Sequence, residues 1–164
     1  MRVLAFEPEP QTFSALQRNV ELNELSQRVE CLPFGLSDKQ ENKAFLTNKD
    51  CFTTHHFADV AGVSDGPAQA ASLQIQCVTI DQIFTQRNLT RCDFIKMDIE
   101  GSEGMVLKGA VETIRRFHPR LSMAAYHTPE DAFVLPMMIR DICPDYNIIV
   151  SRESHLYAFC WNSF

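Results

Sequence analysis

The stretch that decides the fold is residues 93–104, DFIKMDIEGSEG. Its apolar part, residues 94–97, has the composition of a buried strand, and the chain then passes directly into carboxylates and a glycine turn. In open α/β sheets, ligands bind beyond the carboxyl ends of the strands, so Asp98 and Glu100 are expected to face a small-molecule crevice. The alternative is structural, because Asp98 is also a favourable N-cap for the helix that follows.

A second acid occupies an equivalent place near the start of the chain. Residues 3–6 are predicted to form a fully buried strand, and Glu7 follows directly, before a proline and a helical pattern. A carboxylate in this position can accept hydrogen bonds from both vicinal hydroxyls of a ribose. A solvated surface acid is the alternative for Glu7. Two acids at equivalent strand ends favour a binding site over capping.

Size and charge narrow the classes of protein. The 164 residues fit one domain, and the net charge of -6 argues against sequence-independent binding of nucleic acid, which requires a basic surface. The six cysteines contain no C-x-x-C pair, so neither structural zinc nor a disulfide framework is expected. No apolar stretch approaches the length of a membrane span, and two early glutamates interrupt the N-terminal apolar run. We expect a cytoplasmic protein without membrane or nucleic-acid partners.

The apolar pattern predicts strands that alternate with helices, closed by a hairpin. The predicted strands and extended segments cover residues 3–6, 28–34, 43–47, 73–80, 94–95, 121–126, 146–150 and 155–161. The predicted helical segments are residues 13–20, a brief helix capped by Asp81, an amphipathic helix through 107–114, and a helix from Pro136 to Cys143. Residues 59–72 are expected to form a long loop. The fold class is therefore α/β, with a mostly parallel sheet and one antiparallel edge.

The acidic turn after residue 97 is unsuited to phosphate. Gly101 and Gly104 stand at a helix start, where phosphates often bind, but Asp98, Glu100 and Glu103 would place three negative charges beside the ligand. A site walled by acids prefers a cation or hydroxyl donors. Gly101 then permits a tight turn, and Glu103 is interpreted as a favourable acid in the first helical turn.

A histidine follows another predicted strand. His127 stands beside Thr128, Glu130 and Asp131 in the sequence, where an imidazole can act near neutral pH as a base or a hydrogen-bond donor, although a structural role is the alternative. His55 and His56 have no acid at ligand spacing, so no metal site is expected there or elsewhere in the chain.

Several segments together resemble the FkbM family of methyltransferases. In the first two thirds of the chain they are FEP (6–8), NVELN (19–23), GLSD (35–38), TID (79–81), KMDIEGSE (96–103) and LKGA (107–110). In the last third they are PRL (119–121), YHTPED (126–131), Pro136 and PDY (144–146). The resemblance covers nearly the whole chain, and D-x-E-G-x-E followed by L-x-G-A is its most specific part.

The resemblance implies a Rossmann-like class I fold over residues 1–164 that binds S-adenosylmethionine and methylates a hydroxyl, often on a sugar or a secondary metabolite. It implies that Glu7 holds the ribose and that Leu36, Ser37 and Asp38 line the adenine end. It places Asp98 near the methionine part of the cofactor and the acceptor. These assignments agree with the charge argument, because the cofactor presents a sulfonium and an ammonium. Asp98, Glu100 and His127 all remain candidates for the base that removes the acceptor proton.

The chain departs from the family pattern at two places. In such methyltransferases a first strand and a glycine-rich turn precede the strand that ends in Glu7, and this sequence starts without them. We therefore expect an N-terminally truncated domain with weakened or lost cofactor binding, with the strands ending in Glu7 and Asp98 either paired directly or separated by a gap. Ala125 also stands where many relatives have an acid.

Three functions remain open from sequence. The first is an S-adenosylmethionine-dependent O-methyltransferase with a small-molecule hydroxyl acceptor. The second is a non-catalytic or truncated binding module derived from such an enzyme. The third, a nicotinamide-dependent oxidoreductase, shares only an acid after a strand and lacks the pyrophosphate-binding turn, so it ranks last.

Overall fold

The computed structural model describes residues 2–47, 56–57, 71–151 and 155–160. Strands and helices alternate through much of this part, as the apolar pattern predicts. The helices are α1 (Pro10–Leu22), α2 (Ile80–Gln86), α3 (Glu103–Lys108), α4 (Val111–Phe117) and α5 (Asp131–Ile142). The strands are β1 (Val3–Phe6), β2 (Val29–Leu32), β3 (Gly35–Leu36), β4 (Glu41–Thr47), β5 (His56–Phe57), β6 (Ala71–Val78), β7 (Phe94–Met97), β8 (Arg120–Ala124), β9 (Asn147–Val150) and β10 (His155–Phe159).

The described strands form three sheets, with the orders β1-β2, β7-β8-β10-β9 and β3-β6-β4-β5. β1 with β2, β3 with β6, and β7 with β8 are parallel pairs, whereas the other four pairs are antiparallel. The predicted α/β class is confirmed, but the described strands lie in several sheets in which only some pairs are parallel. The longest pairing is antiparallel, because the half-wet pattern of β6 suits a partner such as β4 that leaves one face to solvent. The predicted terminal hairpin is confirmed in β9 and β10.

The two strands that precede the predicted site acids are less buried than their composition suggests. All four residues of β1 are half-buried, and in β7 Phe94 is 57% exposed while Met97 is buried. Each of these strands has one hydrogen-bonded neighbour among the described strands, β2 for β1 and β8 for β7. A strand with one neighbour leaves its other edge uncovered, which explains the exposure. β1 and β7 are not hydrogen-bonded to each other in the described part of the chain.

The main core lies between the helices and the sheet that contains β7, β8 and β10. Leu107, Ile114, Leu121, Ile139 and Leu156 are among its fully buried members. Tyr146 is also buried in this core, and its hydroxyl donates to the carbonyl oxygen of Pro119 at 2.6 Å. The predicted loop over residues 59–72 lies outside the described residues except for 71 and 72, which begin β6. No helix in the described ranges is long and apolar enough to cross a bilayer.

Pro136 lies inside α5, so the prediction of a helix start at this proline is wrong. Proline removes one helical hydrogen bond and disturbs the preceding turn, a loss of about 3 kcal/mol. Leu135 and Ile139 lie one turn apart on the same helix and are buried in the core at 2% and 0% exposure. Burial of two such side chains contributes about 3 to 6 kcal/mol, which outweighs the defect.

Asp81 stabilises a different helix from the one predicted. The side chain of Thr79 caps α2, accepting from the backbone N–H of Gln82 at 2.9 Å. The carboxylate of Asp81 instead accepts from the backbone N–H groups of Glu112 and Thr113, at 3.0 and 2.7 Å. Asp81 thus satisfies two unpaired donors in the first turn of α4 from across the structure. The cap prediction failed because this partner is 31 residues away in sequence.

Asp81→Ala is expected to lower the free energy of unfolding by about 1 to 3 kcal/mol. The reason is that two backbone N–H groups in the first turn of α4 lose their acceptor. Urea denaturation followed by circular dichroism measures the change. Asp141→Ala is the matched control, since Asp141 is an exposed acid in the last turn of α5. Equal effects of the two variants would contradict this role for Asp81.

The predicted amphipathic helix through residues 107–114 is two helices. α3 ends at Lys108 and α4 begins at Val111, with Gly109 and Ala110 between them. The backbone of Ser37 packs directly against the Cα of Gly109, and a side chain at that position would overlap the Ser37 carbonyl oxygen. Gly109 therefore permits the loop after β3 to approach the helix break, which brings that loop next to the core.

Candidate functional site

The acidic turn after β7 has an unusual backbone. Glu100 has φ = 52° and Gly101 has φ = 89°, so two consecutive residues adopt left-handed conformations. Glycine does so without strain, but for glutamate this region is unfavourable by roughly 1 kcal/mol. Strained residues of this kind concentrate at functional sites, where the surrounding structure holds them in place. The turn lets Asp98 and Glu100 point their carboxylates toward the end of the neighbouring strand β8.

Glu103 contacts the turn from its buried side. It is the first residue of α3, is 1% exposed, and its Oε1 accepts from the backbone N–H of Ile99 at 2.9 Å. Its second carboxylate oxygen, Oε2, is buried and has no hydrogen-bond partner. Burial of an ionised carboxylate is unfavourable without a compensating charge or donor. Glu103 is thus held rigidly, with one polar atom that needs a partner.

His127 lies at the centre of the acids. It follows β8, and its side chain is 7% exposed. Its Nε2 lies 3.4 Å from Asp98 Oδ1 and 3.4 Å from Glu103 Oε1, and its Nδ1 lies 3.5 Å from Glu100 Oε2. Despite these contacts, the buried Nε2 makes no well-formed hydrogen bond. The structure therefore brings together the three predicted catalytic residues.

Tyr126 completes the cluster on the solvent side. Its hydroxyl donates to Asp98 Oδ1 at 3.0 Å, and its ring contacts the His127 ring with centroids 4.6 Å apart. The side chain of Asp98 is still 41% exposed. Asp98 is thus oriented by the tyrosine while it faces solvent, and Glu103 lies at the buried end.

The carboxylates of the cluster raise the pKa values of two neighbouring side chains, His127 and Tyr126. The pKa of His127 is raised, mainly by interaction with the Glu103 carboxylate, with burial acting in the opposite direction. The pKa of Tyr126 is raised by its hydrogen bond to Asp98. Among the described residues, the ion pairs of Asp98, Glu100 and Glu103 are all with His127. One imidazole therefore faces three carboxylates, an arrangement that suits a proton, a metal ion or an organic cation.

The residues assigned to the cofactor have the following places. Glu7 follows β1, and its Oε1 accepts from the backbone N–H of Glu9 at 2.8 Å. Leu36 is half-buried against the main core, and Ser37 is 1% exposed, with its hydroxyl donating to Asp38 Oδ1 at 3.2 Å. Both segments follow strands with parallel partners, β1 and β3. The roles of these residues toward a cofactor stay predictions.

Sequence reasoning missed two members of the cluster. Glu103 was interpreted as a first-turn acid, but it is buried against His127, and Tyr126 was not given a role. A glutamate directly before an apolar helical stripe is a usable signal, because it must lie near the core. The contact with His127 depends on the parallel pairing of β7 with β8, which places the ends of both strands side by side.

Comparisons with known proteins give the family of the chain. Residues 1–150 match the family described as Methyltransferase FkbM domain. The structure is similar to the crystal structure of methyltransferase FkbM from Methylobacillus flagellatus KT, with a TM-score of 0.63 and 26% sequence identity. That similarity covers 96% of this chain but 36% of the other chain, so the sequence spans about a third of that protein. No curated protein matches significantly. On the family match over residues 1–150, this chain belongs to the FkbM family of methyltransferases.

Proposed function

We propose that this chain carries the reaction centre of an S-adenosylmethionine-dependent methyltransferase that acts on a hydroxyl of a small molecule such as a sugar or a secondary metabolite. The observation that carries the proposal is the cluster of Asp98, Glu100, Glu103, Tyr126 and His127, which we call the acidic cluster. It lies at the carboxyl ends of β7 and β8, where ligands bind in open α/β sheets.

The donor set of the acidic cluster fits the charge of the cofactor. The methionine part of S-adenosylmethionine carries an ammonium and a sulfonium, and a partly exposed carboxylate such as Asp98 can bind either group by charge. Neither lysine nor arginine pairs with the carboxylates of the cluster among the described residues, so no such side chain competes there with a cationic ligand. Glu7 is proposed to hold the ribose, and Leu36 and Ser37 to line the adenine.

Methyl transfer from a sulfonium places few demands on the protein. When bound, the cofactor supplies an already activated methyl group, so the chain mainly aligns the acceptor and removes its proton. The bound cofactor would supply the methyl group by breaking its sulfur–carbon bond and would leave as the neutral thioether. The proton of the acceptor hydroxyl would pass to the cluster, where His127 lies between three carboxylates. Raised basicity of the imidazole in this environment favours acceptance of that proton. Tyr126 holds Asp98 toward the acceptor side.

The test is transfer of a radiolabelled methyl group from S-adenosylmethionine, at millimolar concentration, to a panel of sugars and polyols by the full protein. We expect the label on a hydroxyl oxygen, identified by mass spectrometry of the product. A label found only on nitrogen or carbon would contradict the proposed acceptor class. Cofactor binding without transfer to any acceptor would favour the alternative, a non-catalytic binding module.

A further inference from the structure

We propose that Asp98, Glu103 and His127 form a binding site for one divalent transition-metal ion of the zinc type. The inference goes beyond the proposed function, because it concerns a second ligand of the acidic cluster and does not require methyl transfer. One candidate ligand atom from each of the three residues lies within 4.8 Å of the other two. Two carboxylates and one imidazole are a common set of donors for such ions.

The spacing around His127 matches coordination geometry. Zinc binds imidazole nitrogen and carboxylate oxygen at about 2.1 Å, so two ligand atoms in a tetrahedral site lie about 3.4 Å apart. His127 Nε2 lies 3.4 Å from Asp98 Oδ1 and 3.4 Å from Glu103 Oε1. These contacts are at the long end of hydrogen-bonding distances, and their spacing suits a shared ion.

Two buried atoms without partners point to a missing ligand. His127 Nε2 and Glu103 Oε2 make no hydrogen bond, and both belong to side chains that are more than nine-tenths buried. Buried polar atoms are nearly always satisfied in native proteins, so each such atom requires an explanation. A cation bound by the imidazole and the Glu103 carboxylate gives Nε2 a partner and lies beside the carboxylate that carries the second unsatisfied atom. It also offsets part of the negative charge of the cluster.

Neighbouring groups hold the three proposed ligands in position. His127 Nδ1 lies 3.5 Å from Glu100 Oε2, an arrangement that orients the ring and leaves Nε2 for the ion. Glu103 accepts from the backbone N–H of Ile99, and Asp98 accepts from the hydroxyl of Tyr126. Such outer partners fix metal ligands in position and are typical of functional metal sites.

Three protein ligands leave a fourth tetrahedral position, which is the pattern of catalytic rather than structural zinc. The exposed side of the site is at Asp98, so the open position faces solvent. A hydroxyl-bearing acceptor can approach from this side. While the ion is bound, Nε2 is not available to a proton, so Glu100 is then the carboxylate of the cluster that can accept one.

Isothermal titration calorimetry of the chelator-treated full chain with Zn²⁺, and separately with Co²⁺ and Mg²⁺, tests this site. We expect one Zn²⁺ per chain, and tighter binding of Zn²⁺ and Co²⁺ than of Mg²⁺ because one ligand is an imidazole. Bound Co²⁺ should show the strong visible absorption of tetrahedral coordination. Tighter binding of Mg²⁺, no binding, or a thiolate-to-cobalt charge-transfer band would overturn the proposal.

Two variants assign the ion to these residues. Glu103→Gln retains an acceptor for the Ile99 N–H, whereas His127→Ala removes the imidazole. Each variant is expected to weaken Zn²⁺ binding more than about 100-fold. That loss exceeds the effect of removing an outer partner of a metal ligand. The matched control is His118→Asn, since His118 adopts the left-handed conformation after α4 that asparagine tolerates. Unchanged affinity in Glu103→Gln, with circular dichroism showing a folded protein, would overturn the proposal. Zinc binding is measured without cofactor, so it stands or fails separately from methyl transfer.

Discussion

Gly109→Ala is expected to lower the free energy of unfolding by about 3 kcal/mol, at the upper end of the effects of overpacking. The new methyl group would overlap the carbonyl oxygen of Ser37 and lie 3.1 Å from its carbonyl carbon and 3.2 Å from Thr79 Cβ. These are mostly backbone atoms, which cannot move aside as the end of a flexible side chain can. For a chain of this length the melting temperature should fall by about 10 °C.

Gly104→Ala is the matched control for this prediction. Gly104 lies inside α3, and an added Cβ would meet atoms of Met138 and Leu135 at 3.6 to 3.8 Å, which is ordinary contact. Alanine also favours a helix over glycine by up to about 1 kcal/mol. Thermal unfolding monitored by circular dichroism should therefore show Gly104→Ala at or above the stability of the original chain. Similar melting temperatures for the two variants would contradict the close approach of Ser37 to Gly109.

Asp98→Asn is expected to reduce kcat/KM for methyl transfer by about 100-fold or more, the range found for the loss of a proton acceptor or a charge in a reaction centre. The amide oxygen of asparagine can still accept from Tyr126, so the turn should keep its shape. The variant removes the negative charge that faces solvent beside His127. Initial rates with labelled cofactor measure the change.

The same strand supplies the control for Asp98. Asp93 directly precedes β7, at the opposite end from Asp98, and its exposed carboxylate pairs with Arg91 at 2.6 Å. Asp93→Asn should leave kcat/KM within about twofold of the original chain. Its exposed ion pair contributes little to stability and lies at the end of β7 away from the acidic cluster. A loss of activity in Asp93→Asn equal to that in Asp98→Asn would show a general charge effect and contradict a specific role for Asp98.

Local patterns predicted the parts of the fold that depend on local physics. The apolar run before Asp98 and the alternation along β6 identified strands, because side-chain burial repeats along the sequence there. The hairpin of β9 and β10 followed from two apolar segments joined by a short connection. The predicted helix boundaries were wrong where distant groups contribute. The Ser37 backbone packs against Gly109 at the break between α3 and α4, and burial of the residues around Pro136 stabilises α5.

The candidate site shows the same division. The proximity of Asp98, Glu100 and His127 was predictable, because each residue follows a strand and the carboxyl ends of parallel strands lie at one edge of a sheet. The part played by Glu103 was not predictable, because its carboxylate folds back to Ile99 and meets a histidine 24 positions later in the chain. For the same reason the sequence predicted no metal site. The usual ligand spacings describe neighbours on one helix or loop, whereas the three proposed ligands come together through the pairing of β7 with β8.

The most direct test of the account is a crystal structure of the full protein with S-adenosylhomocysteine, the product of methyl transfer from the cofactor. The account predicts that the ligand lies across the strand ends, with its ammonium within hydrogen-bonding distance of Asp98 and its ribose hydroxyls at the Glu7 carboxylate. A ligand bound away from both acids, or Glu7 and Asp98 on opposite sides of the molecule, would contradict it.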